Sequence, residues 1–456
     1  MKKNILLLIL LLLSLSFCGC SAKTMPDTTD PVTLTMWHVY GSQTQSPLNL
    51  LIDDFNHTVG KENGVIINVV SVTSSSAIDQ ALAASANHEP GAQDLPDLFT
   101  AYPRVAEIVG RNKLLDWQEY FSQQELAVFT PEFLREGYFN DRLLMLPIAK
   151  STEAFFVNQT LFDRFSAQTD ITKDCLTTFQ DIFDTACAYY DWSGGQYFMQ
   201  LNDYYHYAYA GMKAKGFEFI ENEQLQVHQK AFEQIWNPLA KAAIYGGICL
   251  EDGYAASRWK TMEIVANTGS TADILYQPEE MIYPDNSTEP ITVLTLPYPA
   301  FDHGNCCAVH RGGGLFAIKS DDERKNNAAA IFAGWITQKE QNLDFVTQAG
   351  YLPVTDEAFD LLFETRETLP LSRQNLYEAV DFMRKEYQLC ALPLYKGASD
   401  VQAKFESNVK ETLKSAHNQY LMRIRAGENP ENVLHELIAS SLETLRSYYE
   451  QETDSK

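Results

Sequence analysis

The chain has 456 residues, with 35 Lys and Arg against 60 Asp and Glu and a formal net charge of −25. A surface this acidic repels phosphate backbones and anionic headgroups, so no nucleic-acid partner is expected. The length exceeds what one ordinary hydrophobic core organises and suits two domains.

Lys2 and Lys3 precede a nearly unbroken apolar run over residues 5–13, followed by Ser14, Ser16 and Phe17-Cys18-Gly19-Cys20-Ser21. The run is too short to cross a hydrocarbon core of ~30 Å and has the order of a secretory signal. A cysteine behind a small residue at its end resembles a bacterial lipobox. Gly19 supplies that small residue for Cys20, whereas Phe17 does not for Cys18. Cys20 is therefore the expected lipidation site, and residues 1–19 the removed signal peptide. The mature lipoprotein would sit on the extracytoplasmic face of the cell membrane, held by an acyl chain such as palmitate. Residues 20–31 lack apolar periodicity and read as a tether. Nothing after residue 20 approaches 18 consecutive apolar residues, so no second membrane segment is expected. Cys175, Cys187, Cys249, Cys306, Cys307 and Cys390 are irregularly spaced, which fits buried small side chains better than a disulfide framework. Their redox state stays open.

From Val32 the pattern runs strand, helix, strand. Residues 32–37 alternate as a strand does, and Leu48, Leu51, Ile52 and Phe55 fall at i, i+3, i+4 and i+7. Residues 65–70 form an apolar run suited to a parallel strand buried on both faces. Residues 78–86 read as a helix and 94–100 lead into a third strand. Such alternation predicts an α/β fold with a mainly parallel sheet. Near the end, Asn429-Pro430-Glu431 is a helix start, with Pro at the first helical position.

Several segments then fall into a known order. Residues 33–55 (TLTMWHVYGSQTQSPLNLLIDDF) resemble the opening of family 1 extracellular solute-binding proteins of ABC importers. Pro96-Asp97-Leu98-Phe99 resembles that family's third strand. Residues 146–158 (LPIAKSTEAFFVN) resemble its crossover between lobes. Residues 312–318 (GGGLFAI) and 350–354 (GYLPV) resemble its return segment. The resemblance implies a two-lobe, type II periplasmic-binding-protein-like fold with a hinged cleft. Lobe one is expected at 32–148 plus 308–350, and lobe two at 149–307 plus 351–456. It further implies a monomeric binding protein, not an enzyme, that delivers a solute to ABC permease transmembrane subunits and uses no cofactor. With 12% aromatic residues, a carbohydrate, specifically an oligosaccharide, is the expected solute. The alternatives are a glycerol-phosphate-type or other polar solute, or presentation of a ligand to a sensor kinase.

A polar solute needs aromatic faces and convergent hydrogen-bonding groups at strand ends. Trp37 and Tyr40 follow the first strand, and Tyr102 follows the third. Ser151, Thr152 and Glu153 lie in the crossover segment. Trp259, Ser270, Gly313 and Tyr351 complete the expected ligand-binding set. Arg258, Arg311 and Lys396 are the cationic candidates should the solute carry phosphate. The segment holding His303, Cys306, Cys307 and His310 offers metal-type side chains, but adjacent cysteines make poor tetrahedral partners and no metal is expected. If Cys20 carries the lipid, Cys20→Ser should release the protein from the membrane fraction while Cys18→Ser leaves it there. Fatty-acid labelling and fractionation read this directly, and the reverse pattern would move the site to Cys18.

Overall fold

The computed structural model describes residues 25–40, 46–72, 74–301, 306–395 and 397–450. Cys20 with the rest of the signal segment, His303 and Lys396 lie outside the described residues. The chain divides into two compact units. Unit 1 takes the residues up to Ala127, Gly137–Ile148 and Gly314–Gln341, and unit 2 takes Val128–Glu136, Ala149–Gly313 and Asn342–Lys456.

Unit 1 is built on a five-stranded sheet. Its strands are β1 (Val32–His38), β2 (Val65–Ser71), β3 (Leu98–Ala101), β4 (Leu146–Pro147) and β10 (Gly314–Ala317), in the order β2-β1-β3-β10-β4. β1 runs parallel to both β2 and β3, while β10 is antiparallel to β3 and β4. The helix α1 (Pro47–His57) starts where Ser46 accepts the Asn49 N–H and Pro47 fills the first turn, and it buries Leu48, Leu51, Ile52 and Phe55. Phe55 meets Phe332 and Trp335 of α6 (Glu323–Ile336), with ring centroids 5.1 and 5.2 Å apart. The parallel strands and the first helix follow the apolar spacing of the sequence.

Unit 2 is centred on β5 (Ser151–Asn158), every residue of which is buried. One edge of β5 pairs antiparallel with β7 (Ala266–Ser270), which continues to β6 (Met199–Gln200). The other edge is shared. β9 (Cys307–Arg311) pairs with Ser151 and Thr152, and β8 (Val293–Pro297) with Ala154 to Asn158. β9 in turn pairs parallel with β11 (Gln388–Cys390). The long helices α4 (Lys230–Tyr245), α7 (Ala398–Arg425) and α8 (Pro430–Glu450) pack together, with Trp236 Nε1 donating to Ser441 Oγ at 3.2 Å. None of the described helices is long and apolar enough to cross a membrane.

The unit boundaries and the cysteines differ from expectation. Residues 128–136, 308–313 and 342–350 belong to unit 2, and β9 completes the β5 edge before the chain leaves at Gly313. Cys307 and Cys390 form a disulfide that ties β11 to β9, while Cys175, Cys187, Cys249 and Cys306 take part in no disulfide among the described residues. A crosslink closing so long a loop contributes roughly 2–5 kcal/mol by restricting the unfolded chain. It also removes the Cys307 thiol as a metal ligand.

Candidate functional site

In unit 1 the parallel strands β1 and β3 are neighbours, with Trp37 opposite Phe99. Their carboxyl ends therefore point the same way, and the residues that follow them emerge along one edge of the sheet. Tyr40 and Tyr102 stand there, both half-buried. The Tyr40 ring stacks on His38 at 6.3 Å, and the Arg104 guanidinium covers the Tyr102 ring at 4.9 Å. Arg104 is held in turn by Asp79. Trp37 does not join them. Strand alternation turns it into the core with Phe99, Ile78, Leu82 and Phe316, and it is 4% exposed.

Unit 2 gathers polar side chains more densely. The amino end of β5 lies beside the carboxyl ends of β7 and β9, with Glu153 opposite Ser270 and Ser151 opposite Arg311. Arg311 Nε lies 2.6 Å from Glu153 Oε1, and Arg311 Nη2 lies 2.9 Å from Asp203 Oδ2. Asp203 caps α3 (Tyr204–Ala214), its other oxygen accepting the His206 N–H at 2.7 Å. His206 Nδ1 is 2.7 Å from both Glu153 Oε1 and Arg311 Nη2. That nitrogen donates to Glu153 when protonated and accepts from Arg311 when not. Glu153 is 1% exposed, and these partners satisfy its carboxylate away from water.

The network continues in two directions. Burial would raise the Asp203 carboxyl, but His206 and Arg311 outweigh it and hold the group below the usual range. Burial and the Asp203 charge push Glu406 of α7 well above the usual range, and the two side chains are hydrogen-bonded to each other. In the other direction, Asn202 binds the Asp273 carboxyl through its side chain and takes its own backbone position from Thr268 Oγ1 at 3.2 Å. Asp273 also accepts the Ser270 N–H at 3.1 Å. Burial raises Asp273 to about 6, against the opposing pull of Arg311.

The backbone around Ser151 is fixed from below. Lys150 is fully buried, pairs with Glu136, and donates to the Gly312 carbonyl at 3.1 Å. Gly312 has φ +111°, and a Cβ there would lie 2.9 Å from the Ala149 carbonyl oxygen, so only glycine fits. Lys150 and Leu352 exchange backbone hydrogen bonds, which brings Tyr351 alongside. Gly350 packs against Ala272 and Ile274. His310, buried beside Phe133 and Glu136, is pushed down to about 4 by burial.

Ser151, Thr152, Glu153, Ser270, Gly313 and Tyr351 thus belong to segments that meet at one end of the unit 2 sheet. Thr152 is occupied there, since its hydroxyl donates to the Val309 carbonyl at 3.2 Å. Trp259 is not part of the group. It is 0% exposed within the unit 2 core, and its Nε1 has no hydrogen-bond partner among the described residues. Arg258 serves as a brace, bonding Gln200 Oε1, Glu263 and the carbonyls of Glu251 and Asp252. Sequence reasoning missed Asn202, Asp203, His206 and Asp273. The Asn-Asp pair ahead of an aromatic helix was the available signal, since Asp is a preferred helix cap.

The comparisons with known proteins agree with this arrangement of strands. The model of the bacterial extracellular solute-binding protein family matches residues 51–367. The chain belongs to that family. UgpB of Mycobacterium tuberculosis, solved with glycerophosphocholine, matches with TM-score 0.66 at 16% identity, covering 91% of this chain and 99% of that one. The cyclic α-maltosyl-1,6-maltose binding protein of Arthrobacter globiformis gives 0.64 at 15%, covering 91% and 100%. The Listeria monocytogenes ABC substrate-binding protein Lmo0181, solved with cycloalternan, gives 0.64 at 13%, covering 91% and 99%. These likenesses are ones of fold, and the neighbours are two-lobe solute-binding proteins. No curated protein matches the sequence.

Asp273 provides a test of the network. Its folded pKa of about 6 lies above the unfolded value near 3.8, so its contribution to stability is complete below about pH 4 and is lost as pH rises through 6. Asp273→Asn keeps the oxygen that accepts the Ser270 N–H and has no proton to lose. Urea unfolding should therefore show the variant gaining relative to the parent between pH 5 and 7. A difference that stays constant across that range would place Asp273 in a solvated setting.

Proposed function

We propose that this solute-binding protein is the capture component of an ABC importer, lipid-anchored through Cys20, and that its solute is a carbohydrate, specifically an oligosaccharide. It acts by binding alone. One observation carries the choice of solute: Arg311, the cation at the strand ends of unit 2, is already engaged by the Glu153 and Asp203 carboxylates. A phosphate approaching it would meet two negative charges at hydrogen-bond range. A sugar hydroxyl can instead donate to a carboxylate and accept from the guanidinium or the Asn202 amide. The remaining cationic candidate among the described residues, Arg258, is spent on its own loop and on Glu263.

Several structural neighbours support the reading, since they bind cyclic α-maltosyl-1,6-maltose, cycloalternan and maltose. UgpB with glycerophosphocholine stands for the phosphodiester alternative. Tyr40 and Tyr102 of unit 1 supply aromatic faces for the apolar C–H surface of a pyranose.

A thermal-shift panel of linear and cyclic oligosaccharides, glycerol 3-phosphate and glycerophosphocholine separates the cases. A ligand at a hundredfold excess over Kd stabilises the folded state by about 2.7 kcal/mol. A neutral oligosaccharide should raise the melting temperature, with an affinity that changes little between low and high salt. Stabilisation confined to the phosphate esters, and weakened by salt, would overturn the carbohydrate reading.

A further inference from the structure

Tyr254 is the most exposed large hydrophobic side chain among the described residues, at 85%, against 64% for the next, Leu371. A single exposed apolar residue is ordinary on a protein surface. This one differs in how it is held. Arg258 Nη2 donates to the Asp252 carbonyl at 2.8 Å and to the Glu251 carbonyl at 3.3 Å, and Gln200 Nε2 donates to the Gly253 carbonyl at 3.0 Å. Lys414 pairs with Glu251 at 2.8 Å and Lys410 with Asp252 at 3.0 Å, both from α7. Gly253 sits at φ +135°, a conformation that side-chain-bearing residues rarely adopt. Each of the three residues before Tyr254 is therefore tied to a neighbouring element. The Tyr254 carbonyl accepts the Ser257 N–H at 3.1 Å, while its side chain makes no hydrogen bond or ring contact among the described residues.

The brace leads directly into the polar network. Gln200 closes β6, and its amide also donates to Asn202 Oδ1 at 3.1 Å. Asn202 binds the Asp273 carboxyl. The carbonyl of Asp273 then accepts the N–H of Tyr276 at 2.9 Å, and Tyr276 is 60% exposed. One hydrogen-bonded chain thus joins Gly253, Gln200, Asn202, Asp273 and Ser270, with an exposed tyrosine at each side of it. A backbone fixed in place before binding loses little freedom when a ligand covers the side chain that it carries.

Resting on the carbohydrate reading, we propose that Tyr254, with Tyr276 as a second face, is where unit 2 stacks on a sugar ring. These tyrosines take the place expected for Trp259, and the Asn202–Asp273–Ser270 groups between them bond the hydroxyl rim. A tyrosine ring covers the C–H face of a pyranose and leaves its own hydroxyl at the wet edge.

The test is calorimetric titration of the full mature chain with maltotetraose, cellotetraose and xylotetraose. Tyr254→Ala should weaken binding of the oligosaccharide that the parent accepts by tenfold or more, and Tyr276→Ala by a smaller factor. Tyr254→Phe keeps the ring and should stay within twofold. Leu371→Ala, an exposed control, should leave affinity unchanged. The Tyr254 variants should melt as the parent does, since the side chain packs on nothing. If the parent binds an oligosaccharide and both alanine variants match it within twofold, the stacking assignment falls while the carbohydrate reading stands. If the parent binds glycerophosphocholine and none of the sugars, both fall together.

Discussion

A guanidinium inside a protein is stable only where carboxylates meet it, and in unit 2 that requirement organises the surroundings of Arg311. Glu153 comes from the start of the central strand, Asp203 from the cap of an α-helix, and His206 from that helix's first turn. Removing Arg311 would leave Glu153, 1% exposed, without its ion-pair partner, at a cost of about 3–5 kcal/mol. The cluster therefore fixes where β9 ends relative to β5 and how α3 is seated. Glu406 extends it to α7, its carboxyl pushed well above the usual range by burial and by the Asp203 charge. Polar groups held this rigidly can present a fixed pattern of donors and acceptors to a solute.

A second buried ion pair does related work. Lys150 and Glu136 join the segments on which the chain enters and leaves unit 2, and the Gly312 carbonyl takes a further Lys150 proton. The backbone bonds between Lys150 and Leu352 add the fourth segment. Ser151, Glu153 and Arg311 sit one to three residues from this knot. The backbone of these candidate positions is thus set by a buried ion pair beneath them.

Local patterns in the sequence were enough for the local structure. The alternation at residues 32–37, the helical spacing from Leu48 to Phe55 and the start signal at Pro430 reappear as β1, α1 and α8. The family's motifs placed the crossover at Ser151 to Glu153 because that segment is itself a strand. What stayed hidden depends on pairing across long stretches of chain. The Arg311–Glu153 contact and the Cys307–Cys390 bond have no local signature, and the placement of residues 308–313 follows from them. Tryptophan was favoured as a stacking residue by its chemistry, yet its large apolar area drives it into a core first. Trp37 and Trp259 are buried for that reason. Tyr254 was legible only as a tyrosine after Glu-Asp-Gly, a turn composition with nothing to reveal its brace.

The account rests on solute meeting the strand-end cluster of unit 2. Hydrogen–deuterium exchange of the mature chain, with and without the oligosaccharide that stabilises it, reads this without any substitution. Residues 150–153, 199–206, 251–276 and 310–313 should exchange more slowly in the bound protein. Unchanged exchange in those segments, with protection appearing only in the helices Ala398–Arg425 and Pro430–Glu450, would contradict it.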